Sequence, residues 1–223
     1  TDVLQQAGLS YSVFDRIVSD PPNTLVDEGG VFAKEQGVDV VVTDHHLPPQ
    51  TLPEAAAIVN PQLPGDESPC KTLSGAGVAF KLAAALDGCT PDEMLPFYGD
   101  LAAIGTIADI MLLEGENRRI VKAGLALLQQ TERPGIAALI EACGLGGKEL
   151  TAENVSFGLA PRLNAAGRMD NAAVALKLLL CGDEEQATGI ADRLAEINTE
   201  RQQTEQQVFA AALETLEKDP ART

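Results

Sequence analysis

The chain has 223 residues, 45 % of them apolar, with 33 acidic against 16 basic side chains and a net charge of −17. That composition supports a globular chain with a proper core and excludes intrinsic disorder and a generally basic, nucleic-acid-coating surface. No apolar run approaches the ~18 residues of a membrane span, and the N-terminus carries no signal-peptide pattern.

In chain order, residues 4–20 (LQQAGLSYSVFDRIVSD) read as one helix stopped by Pro21 and Pro22. NTLVDEGG reads as a short strand ending in a glycine turn, and VFAKEQG as a short helix closed by Gly37. VDVVVT, residues 38–43, is a continuous β-branched run, the pattern of a parallel strand buried on both faces. EAAAIVNP suggests a second short strand ended by Pro61. From Leu73 the pattern turns helical: SGAGVAFKLAAALDG, then MLPFYGDLAAIGTIADIMLL with a break between Gly105 and Asp109, then NRRIVKAGLALLQQT and RPGIAALIEACG. TAENVSFGLAPRLNAAGRMDNAAVALKLLLCG reads as a helix start, a loop and a further helix. Residues 183–218 form one long helix, with an apolar stripe at Ala187, Ile190, Ala191, Leu194 and Ile197 that resumes at Val208, Leu213 and Leu216. The stretch between is polar all round, as in helices that bridge domains through solvent. The expected fold is α/β: a parallel-sheet part over residues 1–110, a helical part over 111–182, and a long connecting helix over 183–223. The four cysteines form no CxxC pair and read as reduced, mostly buried thiols in a cytoplasmic protein.

Four features carry chemistry. The only two histidines stand together in VVVTDHHLPP, directly after a buried strand. Ligands bind beyond the carboxyl ends of strands in open α/β sheets, so Asp44, His45 and His46 are a candidate site for a divalent transition metal. Asp27, in LVDEG, repeats the layout of apolar residues, acid and glycine turn. Asp109 is an acid in the apolar GTIADIMLL, where an unpaired carboxylate is costly. Carboxylates with imidazole suit a one- or two-cation centre for phosphodiester hydrolysis. PRLNAAGRMDN sets Arg162, Asn164 and Arg168 among small residues, a candidate phosphate clamp. SGAG places Ser74 and Gly75 at a helix start, where backbone amides could meet a phosphate or the helix could simply pack closely.

These residues resemble the DHH phosphoesterase superfamily, and within it the RecJ family of bacterial single-stranded-DNA-specific 5′ to 3′ exonucleases. The likeness rests on VVVTDHHLPP, NPQLPGDESPCKTLSGAGVAFKLA, GTIADIMLLEGENR, RPGIAALIE and FGLAPRLNAAGRMDNAAVALKLLL, spanning about residues 37–200. It implies a metal-dependent nuclease of DNA repair and recombination. Asp27, Asp44, His45 and Asp109 would hold Mn²⁺ or Mg²⁺, with His45 and Asp109 also serving catalysis. His46 would orient a ligand or touch the scissile phosphate, and Asn164 and Arg168 would lie near metal or phosphate. The implied partners are single-stranded DNA and, as a candidate, single-strand-binding protein, with no membrane. The sequence departs from the family in four ways. It contains no Asp-x-Asp pair, the region before residue 37 does not read like the family, only 16 residues separate Asp27 from Asp44, and the DHHA1 and OB domains are absent. The expectation is the core of a DHH domain cut from a longer gene product, weak or inactive by itself. The alternatives are a non-catalytic scaffold and a hydrolase of short oligonucleotides or cyclic dinucleotides.

Overall fold

The computed structural model describes Ser12, Phe14 and residues 23–169 and 172–218, leaving out the side chains of Asn23, Val26, Arg168, Met169, Glu217 and Lys218. The helix expected over residues 4–20 otherwise lies outside the described residues.

The first described element corrects the sequence reading. Asn23–Gln36 is a single helix, α1, that runs through Gly29 and Gly30 instead of turning there. Glycine weakens a helix but does not forbid it. The Phe14 ring lies beside Gly29 at ordinary contact distance and packs on Phe32. The helix closes at Gly37, with φ of +63°.

Strands β1 (Val41–Thr43) and β2 (Ala57–Val59) pair in parallel, in the register Val41–Ala57, Val42–Ile58 and Thr43–Val59. Both strands and their parallel pairing agree with the sequence. Burial on both faces does not: Val40 and Val41 are exposed. Among the described residues this sheet has two strands, with helix α2 the element packed on β1, so its opposite face lacks cover.

The rest is helical: α2 (Gly75–Leu86), α3 (Pro91–Ala108), α4 (Gly115–Gln129) and α5 (Pro134–Ala142). A short turn α6 (Ala152–Asn154), a π-helical segment (Val155–Leu159) and α7 (Ala160–Met169) follow one another directly. Then come α8 (Ala172–Leu179) and α9 (Glu184–Lys218). Small residues let these helices approach. A Cβ on Gly124 of α4 would lie 2.2 Å from Ala103 Cβ and 2.4 Å from the Gly99 carbonyl oxygen of α3. A Cβ on Gly105 would lie 2.3 Å from Ala76 Cβ of α2. Gly105 therefore serves packing, and the break expected between Gly105 and Asp109 falls at its far end: α3 continues through Gly105 to Ala108 and is capped by Asp109.

PRLNAAGR is likewise not a loop but most of α7. Pro161 lacks the amide hydrogen of a helix interior. The π-helical segment, where Ala160 N–H reaches the Val155 carbonyl, widens the turn just before it. The first half of α9 packs on α5, α7 and α8, burying Ala187, Ala191, Leu194 and Ile197 as its stripe predicts. Beyond Arg201 its described side chains, Val208 and Leu213 among them, are exposed. No helix of the described residues is long and apolar enough to cross a membrane.

Candidate metal centre

The DHH tripeptide leaves β1 as a tight turn built on Asp44. Its backbone N–H continues the sheet, donating to the Val59 carbonyl at 3.1 Å. Its Oδ1 accepts the backbone N–H groups of His45 (2.7 Å) and His46 (3.2 Å) and faces His46 Nδ1 at 2.7 Å. An ionised carboxylate only accepts, so Nδ1 is the donor in that contact. Burial pushes the Asp44 carboxyl up. The hydrogen bonds from the His46 ring and the two backbone amides outweigh that, and it lies below the usual carboxylate range. All three contacts fall on Oδ1, which leaves Oδ2 outside the turn.

His45 points the other way, into the seam between the sheet and the helices. Its ring packs on Gly75 at the start of α2, where a Cβ would meet Cδ2 at 3.4 Å. It also stacks obliquely on His46 with centroids 4.2 Å apart. Its Nε2 lies 3.4 Å from Asp109 Oδ2. Two donors bound to one cation at about 2.1 Å, at right angles, sit about 3 Å apart. The pair thus fits neighbouring positions around a divalent ion, and imidazole with carboxylate is a transition-metal donor set.

Asp109 is held there by the end of α3. It is the C-cap; Ile110 N–H donates to the Ile107 carbonyl and Met111 N–H to that of Thr106. Those two bonds make a Schellman turn, whose left-handed residue is usually glycine. Here it is Ile110, with φ of +55°. A β-branched side chain at that φ costs about 1–2 kcal/mol. Behind the turn, buried Asn117 donates to the Thr72 carbonyl (2.6 Å) and the Leu112 carbonyl (3.0 Å), tying the segment after Asp109 to the segment before α2.

Other expected residues lie elsewhere. Asp27 sits on the exposed face of α1 beside Glu28, Val31 and Glu35. Among the described residues no hydrogen bond or ion pair joins it to Asp44, His45 or Asp109. The strand end that motivated it as a ligand does not exist. Ser74 is buried, its hydroxyl accepting from Gly77 N–H at 3.0 Å and lying 3.1 Å from the Thr106 hydroxyl; it caps α2 and locks it to α3. Gly75 lies against the His45 ring. Arg162 Nη1 donates to the Gly158 carbonyl at 2.9 Å, and its charge acts on Cys143. It stands two positions from Asn164, on the opposite face of α7. Asn164 lines a small polar cavity of about 190 Å³ with Ala108, Ser156 and Arg201. Arg168 is four positions on, along the same face of the helix, but its side chain lies outside those described. Among the described residues no three His, Cys, Asp or Glu side chains converge closely enough to hold an ion by themselves.

Three contributors escaped the sequence reading. Buried Asn60 donates to the His46 carbonyl at 2.9 Å and accepts from Gln62 N–H, fixing the DHH turn to β2. Its signal was a polar residue closing an apolar strand before proline. Ser156 and Arg201 share the Asn164 cavity. Arg201 was hidden in the uniformly polar middle of the long helix, where pattern alone distinguishes no face.

Residues 19–106 match the DHH family, N-terminal domain. The chain is 48 % identical over 185 residues to the single-stranded-DNA-specific exonuclease RecJ of Bacillus subtilis, covering 83 % of this chain and 23 % of that protein. It is 39 % identical over 231 residues to RecJ of Salmonella typhimurium, covering 95 % and 40 %. A crystal structure of exonuclease RecJ bound to manganese superposes with a TM-score of 0.72 at 39 % identity, over 84 % of this chain and 47 % of that one. RecJ of Thermus thermophilus in complex with Mg²⁺ gives 0.65 at 40 % identity, over 78 % and 26 %. The chain thus spans 23 % and 40 % of the length of these two curated relatives. The resemblance read from the sequence is borne out. One departure is not: the family match begins at residue 19 and the Salmonella alignment reaches 95 % of the chain, so the stretch before residue 37 does align with the family.

Proposed function

We propose that this chain, a RecJ-type segment with a DHH-family N-terminal domain, is the metal-binding core of an exonuclease that hydrolyses phosphodiester bonds of single-stranded DNA with Mn²⁺ or Mg²⁺. The observation that carries the reading is the meeting of His45 and Asp109. They lie 64 residues apart in sequence, on a strand end and a helix end, with donor atoms 3.4 Å apart. The manganese and magnesium complexes of the solved relatives support the choice of ion.

In this reading His45 Nε2 and Asp109 Oδ2 would hold the cation, and Asp44 would shape the turn that presents His45 to it. A bound cation would supply Lewis acidity toward the phosphate and a nucleophile at neutral pH. Asp44 Oδ1 accepts from the His46 ring and aims its Nε2 outward, where the exposed ring can meet the scissile phosphate or move a proton. Asn164 and Arg168 would serve the phosphate side of the site. Asp27, Arg162 and Ser74 have no role in it. The segment to residue 110 then carries the DHH half of the site, residues 111–182 carry the Asn164 half, and α9 extends from the second.

The test is single-turnover cleavage of end-labelled single-stranded DNA by the chain with Mn²⁺, beside a dinucleotide and a duplex. Slow, metal-dependent loss of terminal nucleotides from the single strand alone is expected of this segment. Cleavage of the dinucleotide but not the strand would favour a short-oligonucleotide hydrolase. Absence of both cleavage and Mn²⁺ binding would favour the scaffold reading.

A further inference from the structure

The two most exposed large apolar side chains among the described residues are Ile110, 88 % exposed, and Leu47, 83 %. Each directly follows a member of the site: Leu47 follows His46, and Ile110 follows Asp109. His45 Nε2 and Asp109 Oδ2 lie 3.4 Å apart, so both exposed apolar residues stand within two positions in sequence of that contact.

Neither buries much surface among the described residues. Ile110 buries almost nothing, yet occupies the left-handed position of a Schellman turn at φ +55°, where glycine or asparagine would close the same turn with less strain. Strain at a position that gains no burial marks a side chain wanted for something outside the fold. Leu47 stands in a polar turn beside Pro48 and Pro49 and is almost as open. Charge points to the occupant. A chain of net charge −17 gains little from general attraction to a polyanion, so a strand held near two carboxylates needs contacts to its uncharged parts. The uncharged, flat, apolar part of a nucleotide is its base.

We infer that Leu47 and Ile110 grip the base of the nucleotide at the scissile phosphate, setting the strand over the His45–Asp109 pair. The inference rests on the nuclease reading above. It accounts for the strain: a glycine at position 110 would relax the turn and remove the grip. It also accounts for selectivity, because a base stacked and paired in a duplex presents no free face to either side chain.

The experiment compares the chain with its Ile110→Asn and Leu47→Ser variants in Mn²⁺-dependent single-turnover cleavage and in fluorescence-anisotropy binding of single-stranded DNA. A second substrate lacks its bases at the terminal residues. Each variant should raise the half-saturating concentration about five- to tenfold on normal DNA, the low end for loss of a base contact, with the maximal rate within about twofold. On the base-lacking strand, parent and variants should be equal. Ile110→Asn should also raise Tm by a few degrees, as relief of strain; a side chain that served packing would lower it. Unchanged half-saturation on normal DNA, an equal loss on the base-lacking strand, or a fall in Tm for Ile110→Asn would overturn the grip while leaving the nuclease reading standing. A parent chain that neither cleaves nor binds single strands would overturn both.

Discussion

The helical body and the strand segment of this molecule are built to different standards. From α2 to the middle of α9, leucines and isoleucines such as Leu128, Ile136, Leu139, Leu178 and Leu194 are almost wholly enclosed. Glycines there let helix backbones nearly touch. The segment from α1 to β2 buries few side chains, and its sheet exposes Val40 and Val41. The candidate centre lies on the border, with Asp109 from the dense side and the DHH turn from the thin one. Stability and chemistry are therefore separable here: the body supplies a fixed carboxylate, and a lightly held turn brings the imidazoles to it.

The largest expected effect tests the border itself. Asp109→Ala should lower Mn²⁺-dependent cleavage by at least about a hundredfold and leave Tm little changed, because the carboxylate is partly exposed. Next comes the body. Arg133 Nε donates to nearly buried Asp100 at 2.7 Å, its Nη2 donates to the Phe97 carbonyl, and its guanidinium lies 5.7 Å from the centroid of the Tyr98 ring. Arg133→Ala strands the Asp100 charge. It should cost up to about 3 kcal/mol by chemical denaturation, below the full value for a buried pair because Arg133 is one-third exposed. Gly135→Ala puts a Cβ 1.8 Å from the Leu178 carbonyl oxygen and should cost roughly 1–3 kcal/mol as α5 and α8 part. If either change abolished metal binding as completely as Asp109→Ala, the division between body and centre would be wrong.

Asn60→Ala works from the thin side. It leaves the His46 carbonyl and Gln62 N–H without their partner, at a local cost of about 1 kcal/mol. Mn²⁺ affinity should fall about tenfold, and hydrogen exchange should speed up in the DHH turn but not in α3. The smallest effect is a titration. Hydrogen bonds from Lys71 and Ser68 hold the Asp66 carboxyl down at about 2. Its folded value is depressed, so the contact is fully present above the usual carboxylate range and is lost as pH falls from about 4 toward 2. Lys71→Met should move the Asp66 midpoint upward in a carboxyl NMR titration, with the His45–Asp109 contact unaffected.

What could be read from the sequence follows the same division. Helices with a buried stripe declare themselves by period, and α9 was legible almost to the residue. DHH and Asp109 were legible because acids and paired histidines are out of place beside apolar runs. Asp27 was misplaced because GG after LVDE signals a turn in isolation. In the structure helix α1 runs through both glycines. PRLNAAGR looked like a loop because proline and glycine punctuate chains. The π-helical turn that lets Pro161 sit in a helix has no period to detect. Arg201 could not be found because the partner that gives its helix face a meaning, Asn164, lies 37 residues earlier in sequence.

The most direct measurement is a Mn²⁺ titration followed by electron paramagnetic resonance on the chain, His45→Ala and Asp109→Asn. A shared centre predicts saturable binding by the parent chain and affinity at least about tenfold weaker in both variants, with far-ultraviolet circular dichroism unchanged. Binding that is equal in all three would mean that His45 and Asp109 meet for reasons of packing alone, and that the metal centre of this chain lies elsewhere.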